Sequence, residues 1–271
     1  MAELPESTYY YHLAKKEQPN KDKELERLIL DIFKKSKETY GYRRIKKELK
    51  KQGFIVNHKR ILRLTNKLGI QCIKFSRKTR RYSSYKGTVG KIAKNRVNRR
   101  FTTPFPLQKL VTDVTEFKCL NGEKLYLSPI MDLYNLEIIS FNILKRPTLD
   151  LVIDPLKEAL SIIRTHANYR TTIHSDQGWQ YQHKSWVNEL EQHKVFQSMS
   201  RKGNCLDNSP MENFFGLLKQ EMYYGEEIVS YTTLQKRIEE HIDFYNNDRI
   251  KTKLSGLSPV TYRKQDTQLA A

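Results

Sequence analysis

Residues 108–144 read QKLVTDVTEFKCLNGEKLYLSPIMDLYNLEIISFNIL. Three runs rich in β-branched and aromatic residues stand out: Gln108–Phe117, Lys124–Asp132 and Glu137–Leu144. Asn121-Gly122 separates the first two and is strong hairpin-turn chemistry, so the stretch predicts three hairpin-linked strands. Downstream the periodicity changes. Thr148–Thr165 predicts a helix, Thr171–Ser175 a short buried strand, Lys184–His193 a helix and Val195–Ser200 a strand. Ser209–Tyr224 and a longer segment from about Thr232 to Asn246 predict two more helices. Strands followed by alternating helices and strands imply an α/β unit, a mixed sheet with helices on both faces.

Upstream the chain reads differently. Leu25, Leu28, Ile29, Ile32 and Phe33 place one apolar face on a helix over 23–37. Tyr40-Gly41-Tyr42 breaks it, and Arg43–Lys51 resumes with Ile45 and Leu49 until Gly53. Asn57 is an N-cap candidate for a third helix, His58–Leu68, which ends at Gly69. Three short helices, the last two joined by a tight turn, fit either a helix-turn-helix or a small bundle with a solvated basic face. On the first reading Arg43, Arg44, Lys59, Arg60 and Arg63 would face DNA, with the third helix in the groove.

Charge supports that reading. Of 271 residues, 49 are Lys or Arg and 30 Asp or Glu, a net +19. Residues 1–100 carry +20 and the remainder −1, and residues 51–100 hold 16 basic side chains and no acid. Such asymmetry fits a polyanion-binding arm on a near-neutral domain. Residues 74–100 have little apolar period and read as a basic linker, with Phe75, Tyr82 and Tyr85 interleaved as candidate stacking groups or as incidental aromatics of a spacer. The boundaries expected are a tail at 1–20, a helix-turn-helix-like region at 21–72, the linker at 73–103, an α/β core with C-terminal helices at 104–265 and a tail at 266–271. No apolar run is long enough for a membrane span, and the N-terminus lacks a secretory h-region. Cys72, Cys119 and Cys205 are widely spaced, which indicates neither a disulfide framework nor a zinc site. A reduced, cytoplasmic chain is the expectation.

Three carboxylates are the chemical candidates. Asp113 lies within the first predicted strand, where desolvation is costly without a partner such as a buried Arg or a metal. Asp176 follows the strand Thr172–Ser175, at the kind of strand end where α/β sheets place functional groups, although Asp176-Gln177-Gly178 is also good turn chemistry. Glu212 opens the Ser209–Tyr224 helix, where Ser209, Pro210 and Glu212 also fit a capping box. Convergence of the three would make a site for hard divalent cations and phosphoryl transfer.

TDVTEF around Asp113, HSDQGWQY around Asp176, GNCLDNSPMENFFGLLKQE around Glu212 and the C-terminal YNNDRIKTKLSGLSPVTY form a series, with 35 residues between Asp176 and Glu212. The series resembles the DDE transposases of insertion sequences, specifically the second-frame product of the IS3 family, relatives of the retroviral integrases. The resemblance runs from Tyr40-Gly41-Tyr42-Arg43-Arg44 to Pro259.

It implies a ribonuclease-H-like catalytic core, with Asp113, Asp176 and Glu212 as catalytic residues holding two Mg²⁺ ions for which Mn²⁺ would substitute. It implies double-stranded DNA partners (terminal repeats and target), a homo-oligomer on DNA, and fusion or association with an upstream-frame product. The implied reaction is cleavage at the element ends to expose 3′-hydroxyls, then direct strand transfer, often through a circular intermediate. Lys219 matches the basic position that follows the glutamate in this family, with a phosphate contact implied. Asn204, Asn208 and Asn213 would orient carboxylates or DNA, or serve the loop and cap, and His174 reads as structural. Lys251 lies where many relatives carry His after the motif Arg, leaving the role of 249–251 open, and the zinc module of the retroviral relatives has no counterpart here. The competing expectations are a nuclease on the same core that does not join, and a DNA-binding regulator whose carboxylates are structural.

Overall fold

The computed structural model describes residues 5–10, 20–70, 72 and 90–269. It divides into two units, Met1–Ile73 and Lys74–Ala271. In the first, α1 (Lys23–Lys35), α2 (Tyr42–Lys51) and α3 (His58–Lys67) pack through Leu25, Ile29, Ile32, Ile45, Leu49, Ile61 and Leu64. These are the positions that the 3.6-residue period selects. The Asn57 side chain accepts the Lys59 N–H at 3.0 Å and so caps α3. Past the end of α2 the chain turns at Gly53 (φ 88°), and Phe54 N–H reaches back to the Leu49 carbonyl at 2.9 Å. Asn57→Ala is expected to cost the unit about 1 kcal/mol, read as a lower Tm, because an orphan N–H loses its acceptor.

Among the described residues of the second unit, six strands form one sheet: β1 (Lys109–Thr112), β2 (Thr115–Lys118), β3 (Lys124–Asp132), β4 (Ile138–Leu144), β5 (Thr172–Ser175) and β6 (Phe196–Met199). β3 pairs antiparallel with β4 on one side and with β1 and β2 on the other, while β1, β5 and β6 run parallel. Five helices follow or separate these strands: α4 (Asp150–His166), α5 (Trp179–Gln182), α6 (Lys184–Gln192), α7 (Ser209–Met222) and α8 (Tyr231–Asn247); α9 (Pro259–Leu269) closes the chain. Alternation along the strands builds two cores. Val111, Phe117, Leu125 and Met131 meet α7 and α8 on one face. Leu110, Ile130 and Ile173 meet α4 and α6 on the other, with Trp186 fully buried there. This is the mixed sheet with helices on both faces that the periodicity predicts.

Two expectations are corrected. The first strand is not continuous: it breaks between β1 and β2, at Asp113 and Val114. Both halves keep one register on β3, with Thr112 opposite Ile130 and Thr115 opposite Leu127, so the break falls opposite Pro129 and Ser128. Pro129 has no N–H for the ladder, and the Val114 N–H turns instead to Asp113 Oδ1 at 2.8 Å.

The second correction concerns the stretch read as linker. Phe75, Tyr82 and Tyr85 lie outside the described residues, but residues 90–103 are not a free spacer. They form a strap on the core, held by hydrogen bonds that leave no apolar period. Arg96 N–H donates to Ser198 Oγ at 2.9 Å and Gly90 N–H to Gln182 Oε1 at 3.2 Å. The approach at Gly90 is so close that a Cβ there would sit 2.6 Å from the Gln182 carbonyl oxygen.

Candidate active site

Asp113 follows β1 and Asp176 follows β5. The two strands are parallel neighbours with Leu110 opposite Ile173, so both carboxylates emerge at the same end of the sheet. Each is half-buried. Among the described residues Asp113 Oδ1 accepts only its neighbour's N–H, and Asp176 Oδ1 accepts the Gly178 N–H at 2.8 Å. The buried-Arg partner considered for Asp113 is absent among the described residues. Burial first, then the Asp176 carboxylate and, less strongly, Glu212 push the Asp113 carboxyl well above the usual range; the Val114 N–H and Lys219 pull the other way. Burial raises Asp176 and Glu212 as well.

Glu212 enters from α7. The capping box does not form: α7 begins at Ser209 with Asn208 as its N-cap, and no side chain caps it. The Glu212 carboxylate is therefore not spent on the helix end. Asn208 donates from Nδ2 to the Thr112 carbonyl at 3.1 Å, tying the α7 start to the strand that leads into Asp113. Its Oδ1 is buried with no hydrogen-bond partner among the described residues. Lys219, two turns further along α7, donates to Thr115 Oγ1 at 2.6 Å and to the Glu116 carbonyl at 3.0 Å, and lies over the Phe117 ring. It fastens α7 to β2 beside the carboxylates. His174 is fully buried, with Nδ1 2.8 Å from Ser198 Oγ and Nε2 3.1 Å from Ser200 Oγ. Burial lowers its pKa to about 4, so it is neutral and structural, as the sequence suggests.

The donor set fits a hard divalent cation: oxygen ligands, accumulated negative charge and an orphaned amide oxygen beside it. The side chains as they stand do not form a closed cage. Among the described residues, no group of three or more His, Cys, Asp or Glu is gathered closely enough to hold an ion.

Sequence reasoning missed what pins α7. At its start Asp207, fully buried, accepts from Arg201 Nε and Nη2 at 2.9 Å each, from Arg99 Nε at 2.9 Å and from Asn95 Nδ2 at 3.1 Å. These donors hold its carboxyl far below the usual range, with Arg201 first. At its other end Glu221 is clasped by buried Arg249 through contacts of 2.6 and 2.9 Å. The rest of the C-terminal motif serves the same clasp. Asn246 exchanges hydrogen bonds with the Ile138 backbone, and Tyr245 donates to the Leu136 carbonyl. Lys251 continues it by donating its backbone N–H to the Leu257 carbonyl and laying its ammonium over the Tyr245 ring.

In the helical unit, Arg60 and Arg63 both reach Asp22, and Lys67 reaches Glu26. The Asp22 carboxyl is lowered by Arg60 first and Arg63 next. Two of the arginines expected to face DNA are thus held against the start of α1. Arg44 donates to the Thr39 carbonyl and lies over Tyr40, while Arg43, which donates to Tyr42 Oη, and Lys59 are exposed.

Comparison with known proteins agrees with this architecture. Residues 19–79 match the HTH-like domain, and 104–205 and 212–266 match the integrase core domain. The putative transposase InsK for insertion sequence element IS150 of Escherichia coli K12 is 44% identical over 97% of this chain and 91% of its own length. The chain belongs to the IS3 family of DDE transposases. An uncharacterized transposase-like protein of Haemophilus influenzae is 48% identical over 78% of the chain and 94% of its own length. Transposase InsF for insertion sequence IS3A of E. coli K12 is 30% identical over 88% and 82%. Among solved structures, the HTLV-2 integrase catalytic core domain aligns over 59% of this transposase and 97% of that chain, at 15% identity and a TM-score of 0.44. The catalytic domain of Mos1 mariner transposase aligns over 51% and 70%, at 13% identity and a TM-score of 0.41. The IS3-family transposase is thus a DDE-type polynucleotidyl transferase with a DNA-binding helical module, and no helix among its described residues is long and apolar enough to cross a membrane.

Proposed function

We propose that this transposase cuts the ends of its insertion sequence to expose 3′-hydroxyls and then joins them to DNA, with Asp113, Asp176 and Glu212 as the catalytic carboxylates. The observation that carries the reading is the pair Asp113 and Asp176 at neighbouring parallel strand ends, where burial and the nearness of the two carboxyls raise Asp113, with the Glu212 helix beside them. Asp113 and Asp176 would hold Mg²⁺ or Mn²⁺, with Glu212 completing the ligand set by a side-chain adjustment. Two such ions, when bound, supply charge neutralisation at the phosphate and at the attacking and leaving oxygens.

The chain's own residues do the positioning. Asn208 fixes the start of α7 relative to β1, and the Asp207 and Arg249 clusters fix its ends, so the three carboxylates are presented from rigid elements. Lys219, beside the carboxylates, would supply a positive charge to the scissile phosphate. In the first step water attacks phosphorus and the P–O3′ bond breaks, leaving a 3′-hydroxyl. In the second that hydroxyl attacks another phosphodiester: one P–O bond forms, one breaks, and the proton passes through solvent to the displaced oxygen. Arg43 and Lys59 would contact backbone phosphates from the helical unit, and Arg44, Arg60 and Arg63 would do so only on leaving their present partners. Two ends must be held at once, so the working form is a homo-oligomer on DNA, with or without an upstream-frame product fused to it.

The test is a labelled duplex carrying the element's terminal repeat, with Mg²⁺ or Mn²⁺, comparing wild type with Glu212→Gln. Metal-dependent nicking at the repeat boundary and joined products, both lost in the variant and in EDTA, are expected. Nicking without joining, in the upstream-fused form as well, would favour the nuclease; chemistry surviving in Glu212→Gln would sink the site assignment.

A further inference from the structure

The end of the sheet opposite the carboxylates carries a cavity of about 620 Å³ between the strap, α6 and the start of β6. Its charged lining is Lys91, Lys94 and Arg96 from the strap, Arg170 from the loop before β5, and Lys194 before β6, against a single acid, Glu191. None of the five cations has an acidic partner among the described residues. That contrasts with Arg99 and Arg201 on Asp207 and with Arg249 on Glu221, where the fold pairs its arginines. Phe196 forms a shelf between two of them: the Arg96 and Arg170 guanidinium carbons lie 4.3 and 3.5 Å from its ring centroid. Arg170 is further fixed by donating from Nε to the Lys194 carbonyl at 2.7 Å. Next to Arg170, Tyr169 stacks on Phe105 with ring centroids 4.2 Å apart, both rings partly exposed.

Uncompensated like charge lining a concavity raises the local potential and carries a self-repulsion that a bound polyanion relieves. Guanidiniums held over an aromatic ring lose little further freedom on meeting a phosphate. The basic half of the sequence is therefore not only a separate arm, because its last segment is laid onto the near-neutral core to build this groove.

We infer that the groove is a second DNA site, binding the phosphodiester backbone of a segment other than the one at the carboxylates. β5 and β6 are four residues long, which separates the groove from the carboxylate end by on the order of 13 Å along the strands. The inference rests on DNA being the substrate but not on the assignment of the carboxylates. The segment is either transposon DNA running inward from the cut end or target DNA.

The experiment uses the full chain in EDTA, so that chemistry plays no part, and measures affinity against salt concentration for Lys94→Gln/Lys194→Gln. Two probes are compared, a duplex carrying the terminal repeat with its internal flank and an unrelated duplex. Loss of two phosphate contacts makes the slope of log affinity against log salt shallower by about two, with the Tm unchanged. A change confined to the terminal-repeat duplex assigns the groove to transposon DNA, one confined to the unrelated duplex assigns it to target, and a change on both assigns it to backbone wherever it lies. Slopes unchanged on both duplexes overturn the inference.

Discussion

Asp176→Asn is expected to lower end cleavage and strand transfer by about a thousandfold or more, while leaving DNA binding in EDTA and the fold intact. The replacement is nearly isosteric, and its amide oxygen can still accept the Gly178 N–H that shapes the loop. What it removes is the charge that would hold a divalent ion, and several kcal/mol of transition-state stabilisation correspond to that factor. The same change has a second, opposite signature. Asp113 is pushed up by burial and by Asp176, so neutralising Asp176 relieves a repulsion the folded state bears and lets the Asp113 carboxyl fall back toward the ordinary range. Thermal unfolding of the variant without metal should therefore occur at the same temperature as wild type or higher. Activity lost together with a lowered Tm would mean that Asp176 is structural, and unchanged activity would remove it from the site.

Arg249→Met should instead be the most destabilising single change in the C-terminal motif. Arg249 is almost completely buried and grips Glu221 through three contacts, with His241 Nε2 3.6 Å from the same carboxylate. Removing the guanidinium leaves a buried carboxylate without its main partner, a loss of about 3–5 kcal/mol, on the order of 10 °C in Tm for a unit of this size. Activity should fall with stability, since α7 carries both Glu221 and Glu212. The double change Arg249→Met/Glu221→Leu should recover most of the lost Tm, because no charge is then stranded. A single variant with wild-type Tm and weakened DNA binding would instead make Arg249 a DNA contact.

The difference between those two sites marks what the sequence made readable. β3 has the bounds expected for it, Lys124–Asp132, because Asn121-Gly122 and a continuous apolar run define it locally. The Asn57 cap was readable for the same reason: its partner is two residues away. The strand break at Asp113 was not, since its cause, Pro129, sits on the partner strand sixteen residues on and matters only once the register is known. Nor was the cap of α7: the helix starts at Ser209 as expected, but Asn208 holds the N-cap position and no capping box takes up Glu212. The strap, Asp207 and the Arg249 clasp left no period at all. Apart from Arg201 on Asp207, six positions away, they are held by contacts that reach across 28 to 112 positions, and polar contacts of that range have no spacing rule. The pairing of the α3 arginines was not readable either, because Asp22, 38 and 41 residues earlier, takes Arg60 and Arg63.

The strap also governs how the catalytic unit can be isolated. β6 is the edge of the sheet, and an edge stripped of its cover is a template for pairing with another chain. Arg96 and Val97 donate to the Ser198 side chain and so lie against β6, and Asn95 and Arg99 complete the shell of Asp207. A fragment cut at residue 104, where the integrase core match begins, would lose both at once. A fragment beginning at or before Gly90 keeps them, so soluble expression should rise and self-association fall when the cut is moved those fourteen residues upstream.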